Sequence, residues 1–234
     1  MLMPQLIHLI DQNDTELRIW HIEEDEVFFR RSMEWPEIES EICQSFHPKR
    51  RLEYLASRYL LYRYLPDEKP GPFLRDEFGK LLLRNGHRKL SISHSGKYTG
   101  YAVSNREMGM DLQVYDPKIL RILGKFLDST EQDLLISGLH REEAIRMGTL
   151  AWCAKEAVYK AHGRRGILFS EQIRLHIQSD HPENLIPYAS LSLPDQTKQY
   201  RIRYEFRDEF IWLLACFQED GLHGALPDPA PLWL

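Results

Sequence analysis

The segment from Arg141 to Gly163 is the part of the sequence that most constrains the fold. Small and apolar residues recur in it at alternating three- and four-residue spacing, which predicts one long helix with a core-facing stripe. Gly163 follows the last periodic residue and is a typical helix C-cap. Because most stripe side chains are small, another element can approach the helix closely. The stripe consists of Ala144, Met147, Ala151, Ala154, Val158 and Ala161.

Helices and paired strands follow one another twice along the chain. This order predicts an α+β fold of two similar halves, residues 1–106 and 107–234, each an antiparallel sheet packed by a long helix. We expect a pseudo-two-fold axis between the halves and an extended, proline-containing tail at the end of the second half. The other predicted elements are helical turns within 25–45 interrupted at Pro36, a helix over 48–65, short helices after Pro117 and Asp128, and strands near 15–22, 80–83, 90–94, 98–104, 108–114, 171–177, 188–193, 199–206 and 209–217.

Charge is distributed unevenly along a chain whose net charge is −5. Residues 1–46 carry eleven acids and three bases, whereas residues 47–63 and 84–97 each carry a net charge of +4. The acidic total argues against a general nucleic-acid binder. The two basic segments suggest a specific anionic ligand or partner, although charge counts alone more often indicate solvated surfaces.

Cysteine usage and hydropathy predict the compartment. Three cysteines without CxxC or metal-ligand spacing fit a reduced, cytoplasmic protein. The first twelve residues lack the basic start and apolar core of a signal peptide, and no apolar run approaches the 18 residues of a membrane span. We therefore expect a cytoplasmic protein that does not bind membranes.

Three short stretches could carry chemistry. Asp111 and Gln113 alternate with apolar residues and should share one face of a strand, although a half-buried strand with a polar face has the same pattern. Glu156 and Lys160 lie one turn apart on the long helix, where they could also form an ordinary surface pair. Lys155 is placed at the edge of the core stripe, from which its long stem could reach a cleft.

The third stretch, Ser91 to Gly96, contains Ser93 and His94 in a basic context and could bind phosphate, although a lone histidine is more often structural. The sequence contains no GxxxxGK loop, HExxH, zinc-type Cys/His spacing or GxSxG elbow. Their absence argues against a P-loop ATPase, a zinc hydrolase and an esterase.

In combination these stretches resemble the 4′-phosphopantetheinyl transferase superfamily. The resemblance runs from about residue 46 to 165. The length of the whole chain is similar to that of the larger, two-half Sfp-type branch. The helix following Lys49 and the Phe78-Gly79-Lys80 turn, with Leu81 in place of the usual proline, are similar to that branch. The motifs that carry the resemblance are Ser93-His94-Ser95, Gly109-Met-Asp111-Leu-Gln113 and Trp152-x-x-Lys155-Glu156-x-x-x-Lys160-x-x-Gly163.

The resemblance implies transfer of the phosphopantetheine arm of coenzyme A to a serine of an acyl or peptidyl carrier protein, with Mg²⁺ and release of adenosine 3′,5′-bisphosphate. It implies a site in the cleft between the halves, and the two-half length makes a monomer sufficient. The implied catalytic residues are Asp111, Glu156 and Lys160, the implied metal ligands are Asp111, Glu156 and Gln113, and the implied coenzyme A contacts are Arg51, Arg58, Arg75, Lys80, Ser93, His94 and Lys155.

Gln113 departs from the family pattern, which commonly has a second carboxylate at this position. A glutamine can ligate through its carbonyl oxygen but brings no charge, so weaker or altered Mg²⁺ coordination is expected, with Gln113 a direct ligand or one water removed. Two alternatives stay open: a non-catalytic module that binds carrier protein or coenzyme A, and a small metal-dependent phosphohydrolase with water as the nucleophile. Fatty-acid, polyketide and nonribosomal-peptide carriers all fit equally.

Overall fold

Two antiparallel sheets form the frame of the molecule in the computed structural model, which describes residues 6–10, 15–65, 74–83, 87–178 and 184–218. The predicted C-terminal tail lies outside these residues. Within them, no helix has the length and apolar composition needed to cross a lipid bilayer.

The first half contains strands β1 to β6 and helices α1 to α3. The sheet order is β1-β2-β6-β5-β4-β3, and α3 packs against it. The elements are β1 (Leu6–Ile10), β2 (Glu16–His21), α1 (Glu26–Arg31), α2 (Glu37–Gln44), α3 (Pro48–Tyr64), β3 (Leu74–Arg75), β4 (Leu81–Leu82), β5 (Lys89–Ser95) and β6 (Tyr98–Ser104).

The second half contains strands β7 to β11 and helices α4 to α7, with the sheet order β7-β11-β10-β9-β8. The elements are β7 (Met108–Val114), a 3-10 turn (Pro117–Arg121), α4 (Leu123–Phe126), α5 (Ser129–Leu135), α6 (Arg141–His162), α7 (Phe169–Gln172), β8 (Ile173–His176), β9 (Tyr188–Ser192), β10 (Thr197–Phe206) and β11 (Phe210–Gln218).

The two halves repeat one arrangement. Each has a strand, a long helix and four further strands, of which the last returns to pair with the first: β2 with β6, and β7 with β11. Without β1, the five-strand orders correspond position by position. The predicted α+β fold of two similar halves is therefore confirmed, while the domain boundary at 106/107, which falls between β6 and β7, stays a prediction.

Three hydrophobic clusters stabilise this arrangement. One lies under α3 in the first half, and a second surrounds α6 in the second half. The third joins the halves, because residues of β2 and β6 pack against β7 and β11. Its buried members are Leu17, Ile19, Ala102, Met108, Met110, Leu112, Phe210, Trp212 and Leu214.

Helix α6 begins and ends where the sequence predicted. His140 and Glu143 form a capping box at its start, and Gly163 ends it at φ 74°, a conformation that glycine adopts without strain. Five of the six stripe residues are buried, and Met147 is half-buried. The small side chains allow β7 to approach closely: a Cβ built on Gly109 would lie 1.9 Å from the carbonyl oxygen of Ala157.

Candidate active site

Asp111 is the centre of the candidate site. It lies on β7 with 1% of its surface exposed. Its Oδ1 accepts hydrogen bonds from Lys160 Nζ at 2.6 Å and from Ser93 Oγ at 2.6 Å. Its Oδ2 accepts one from Gln113 Nε2 at 3.0 Å. The strand therefore presents a buried carboxylate whose charge is compensated by one ammonium group and two neutral donors.

Lys160 links this carboxylate to the first half of the chain. Its Nζ donates to Asp111 on β7 and, at 2.9 Å, to Ser93 on β5. An ammonium has three N–H groups, so one donor remains after these two bonds. The side chain is about a quarter exposed, and it borders a cleft. Lys160 can thus hold Asp111 and still meet an anion.

Glu156 lies one turn before Lys160 on α6 and makes no hydrogen bond or ion pair with the residues that the structure describes. Burial raises the pKa of Glu156 to about 7, the negative charge of Asp111 adds to the rise, and Lys160 opposes it. A half-buried carboxylate with this pKa is suited to accept a proton near neutral pH.

A cleft of about 260 Å³ opens beside Lys160. The side chains of Arg75, Lys80 and Arg165 make it basic, and Phe78 and Tyr159 supply aromatic surface. Asp111 and Glu156 are not among the residues that line this cleft, whereas Lys160 lines it and contacts Asp111. Its other lining residues are Gly79, Leu81, Leu90, Ser91, Ile92 and Gly163.

Lys80 connects the cleft to the end of α6. Its Nζ donates to the carbonyl oxygen of Ala161 at 3.0 Å, where a positive charge interacts favourably with the helix dipole. Burial lowers the pKa of Lys80. The preceding turn is fixed because Oδ1 of Asp76 accepts the backbone N–H groups of Phe78 and Lys80. Arg75 Nη1 donates to the Gly79 carbonyl at 2.8 Å.

His94 is held by two residues of α3. Arg50 donates to its Nε2, and its Nδ1 lies 3.3 Å from Oε2 of Glu53. An Nε2 that accepts a hydrogen bond cannot carry a proton, so the ring is neutral with the proton on Nδ1. Burial lowers the pKa of His94, and the charge of Arg50 lowers it further.

Lys155 does not reach the cleft, contrary to the prediction. Its side chain is fully buried, and its Nζ donates to Glu131 Oε2 at 2.6 Å and to the carbonyl oxygens of Ile173 at 2.7 Å and Phe169 at 3.0 Å. All three N–H groups are used, so no donor remains for a phosphate. Lys155 instead connects α6 to α5 and to the start of β8.

Arg51 and Arg58 also lie elsewhere than predicted. Arg51 Nε donates to Glu26 Oε2 of α1 at 2.8 Å. Arg58 is 3% exposed, donates to Glu39 Oε2 of α2 at 3.2 Å and stacks over the Tyr54 ring at 4.4 Å. Both guanidinium groups are engaged by carboxylates of the α1–α2 layer, and neither lines the cleft.

Gln113 and Ser93 are at the site, where hydrogen bonds within the protein hold their side chains. Because Asp111 Oδ2 can only accept, the amide nitrogen of Gln113 faces it, and the amide oxygen accepts from Ser95 at 3.3 Å. Of the predicted residues, the structure brings Asp111, Gln113, Ser93 and Lys160 into one hydrogen-bonded cluster.

Sequence analysis assigned no role to Arg50, Glu53, Tyr159 or Arg165. Arg50 and Glu53 lie in the basic segment at i and i+3, the spacing of one helix face, which is the signal that could have joined them. The exposed Arg165 follows the C-cap of α6 and carries no local pattern that distinguishes it from other surface arginines.

Residues 107–211 match the family model of the 4′-phosphopantetheinyl transferase superfamily. No curated protein matches the chain significantly. The matched segment contains β7, α6 and the three residues whose geometry stands out, Asp111, Glu156 and Lys160. This segment, which is less than half of the chain, is therefore similar to the 4′-phosphopantetheinyl transferase superfamily.

Proposed function

We propose that the chain transfers the 4′-phosphopantetheine arm of coenzyme A to a serine hydroxyl of an apo carrier protein and releases adenosine 3′,5′-bisphosphate. The match of residues 107–211 to the superfamily model supports phosphopantetheine transfer in general. The observation that carries the proposal is the position of Lys160, which borders the basic cleft and also contacts Asp111.

The cleft suits the nucleotide end of coenzyme A. Arg75, Lys80 and Arg165 supply positive charge for its phosphates, and Phe78 and Tyr159 offer aromatic surface to the base. The remaining N–H of Lys160 faces the developing charge of the leaving phosphate. Contacts within the fold already place four of these side chains: Arg75, Lys80, Phe78 and Tyr159.

Glu156 is the proposed acceptor of the serine proton. A serine hydroxyl is a weak nucleophile and needs a base at the moment of attack. Glu156 has no competing partner among the described residues, and its pKa of about 7 matches that task at neutral pH. Asp111, fixed by three donors, cannot turn to take this role.

Two carboxylates fit a magnesium ion that keeps most of its waters. The described residues contain no group of three or more His, Cys, Asp or Glu that could enclose a metal. Asp111 raises the pKa of Glu156, so the pair carries mutual repulsion that a hard cation would relieve. Bound there, Mg²⁺ would neutralise phosphate charge. Asp111 and Glu156 would hold it, with Gln113 no closer than through water.

Substitution of Gln113 tests that arrangement. Its amide oxygen already accepts from Ser95, so we expect Gln113→Ala to leave the Mg²⁺ concentration needed for half-maximal transfer within about threefold of wild type. Asp111→Asn is the matched change at a proposed ligand and should raise that concentration at least tenfold. An equal rise in both variants would make Gln113 a direct ligand.

A second candidate function is a module that binds coenzyme A or carrier protein without transfer. It is favoured by one observation: both oxygens of Asp111 are satisfied by Ser93, Lys160 and Gln113, so the carboxylate is stable without a metal. That function leaves Glu156, which has no hydrogen-bond or ion-pair partner among the described residues, unexplained.

Intact mass of carrier proteins separates these functions. The protein is incubated with coenzyme A, Mg²⁺ and apo carriers of the fatty-acid, polyketide and nonribosomal-peptide classes. A gain of one phosphopantetheine on a carrier supports transfer and identifies the preferred class. Coenzyme A binding without any gain would favour the binding module. Release of nucleotide without carrier would favour a phosphohydrolase.

A further inference from the structure

Along one edge of β7, backbone N–H groups donate hydrogen bonds to side chains and not to a neighbouring strand. β7 pairs with β11 on one side only, since it is the first strand of its sheet. On the other side, the backbone N–H groups of Met110, Leu112 and Val114 donate to the hydroxyls of Ser91, Ser93 and Ser95 at 2.8, 3.2 and 3.1 Å. We name these three serines of β5 the serine seam.

The seam follows from matched periodicity. Three hydroxyls at two-residue spacing on β5 meet three N–H groups at two-residue spacing on β7, because alternate residues of a strand face the same side. The β5 backbone is already paired with β6 and cannot supply these acceptors itself. A buried N–H without an acceptor is costly, so the hydroxyls are needed wherever β7 meets β5.

Ser93 differs from the other seam serines in its use of hydrogen bonds. It accepts from the Leu112 N–H and from Lys160 Nζ, and it donates to Asp111 Oδ1. A hydroxyl has one donor and two acceptor sites, so all are used. Ser93 is 4% exposed. It therefore has neither the capacity nor the exposure to contact a phosphate.

Ser91 is the comparison within the same strand. It is 5% exposed, accepts the Met110 N–H and donates at 3.4 Å to the Met110 carbonyl. No described side chain of the candidate site contacts it by a hydrogen bond. Ser91 thus has the structural role of the seam without the second role.

We propose that Ser93 is a positioning residue, which fixes the Asp111 carboxylate and the Lys160 ammonium in register across the junction of the two halves. The activity part of this inference rests on the proposed function, while the structural part does not. It replaces the predicted contact of Ser93 with coenzyme A.

Kinetics of matched variants test the activity part. Ser93→Ala and Ser91→Ala each leave one β7 N–H without its acceptor, so both should lower the melting temperature. Ser93→Ala should lower it further, because it also removes the hydrogen bonds to Asp111 and Lys160. We expect Ser93→Ala to lower kcat by about 10- to 100-fold, with KM for coenzyme A within about threefold of wild type. Ser91 lines the cleft and is therefore compared for stability only. Ser93→Thr, which keeps the hydroxyl, should recover most of the loss. A raised KM with unchanged kcat, or a Ser93→Thr variant as slow as Ser93→Ala, would overturn the proposal.

Denaturant unfolding tests the structural part without any activity. Lys160→Met is combined in turn with Ser93→Ala and with Ser91→Ala. The proposal predicts that the effects on the unfolding midpoint are non-additive for Ser93 and additive for Ser91. Additive effects for both serines would overturn it. If the wild-type protein transfers nothing, the proposed function fails. The unfolding midpoints of the single and double variants still decide whether Ser93 couples to Lys160.

Discussion

Lys160 pairs with Asp111 on β7 at 2.6 Å and not with Glu156, which lies one turn away on its own helix. The ordinary surface pair that the i, i+4 spacing allows is therefore not formed between these described residues. Lys160 compensates a buried charge, and Glu156 is left with a raised pKa. This division of roles between two carboxylates is the basis of the predictions that follow.

Lys160→Met should reduce stability and activity together. The substitution leaves the Asp111 carboxylate buried without its cation, so we expect the free energy of unfolding at pH 7 to fall by about 2–4 kcal/mol. Transfer should fall at least 100-fold. Urea denaturation and the carrier assay measure the two effects. Lys118→Met is the control, because its ammonium pairs with Asp116 at 3.8 Å on the surface and should contribute little. A stable Lys160→Met variant would show that the buried pair does not stabilise the fold.

Glu156→Gln should stabilise the metal-free protein in a pH-dependent way. The pKa of Glu156 is raised in the folded state, so the wild type loses stability as pH rises from about 4.5 through about 7. The variant escapes this loss and should be more stable by about 1–3 kcal/mol at pH 8, with little difference at pH 4.5. Transfer should be lost.

Melting curves between pH 4.5 and 8 measure this gain. Glu142→Gln, an exposed position at the start of α6, is the control and should show no gain that grows with pH. A constant stability difference between wild type and Glu156→Gln across that range would contradict a raised pKa.

Lys155→Met should damage folding and not catalysis. The methionine fills the volume of the stem but leaves Glu131 as a buried, unpaired charge, which costs about 3–5 kcal/mol. Adding Glu131→Gln should recover part of that loss. Chemical denaturation measures stability, and kcat per folded molecule should match wild type. A Lys155→Met variant of normal stability with a raised KM for coenzyme A would instead support the predicted contact between Lys155 and a phosphate.

Gly109→Ala should separate β7 from α6. The added Cβ would lie 1.9 Å from the Ala157 carbonyl oxygen and 2.4 Å from the Ala161 nitrogen, both of them backbone atoms that cannot move alone. We expect a loss of at least about 2 kcal/mol and of most activity, because Asp111 moves away from Lys160. Gly124→Ala, with no heavy atom within 4 Å of the added Cβ, is the matched control. It should unfold at the wild-type midpoint or above it.

The sequence predicts the elements with strong local patterns. Strand β7 and helix α6 are bounded as expected, because alternation and the Gly163 cap are local signals. The capping box from Asp128 to Glu131 forms as its spacing indicates. Strands β1 and β3 were not predicted, because five and two residues without clear alternation give no periodic signal.

Long-range partners explain the site residues that were misplaced. Nothing near Lys155 in the sequence indicates that Glu131 and the carbonyl groups of Phe169 and Ile173 converge on its ammonium. Arg51 and Arg58 likewise face acidic residues of α1 and α2, whose positions follow from helix packing and not from spacing along α3. The sequence gives the positive charge of each of these side chains, but the carboxylate that binds it depends on tertiary structure.

The most direct measurement compares wild type with Asp111→Ala in the carrier assay, both saturated with coenzyme A and Mg²⁺ and both checked for folding. Intact mass and peptide mapping of the carrier follow the arm to its serine. The proposed function predicts one phosphopantetheine on that serine with the wild-type protein and none above background with the variant. Equal modification by both proteins would contradict the assigned site, and no modification by the wild type on any carrier would contradict the transferase itself.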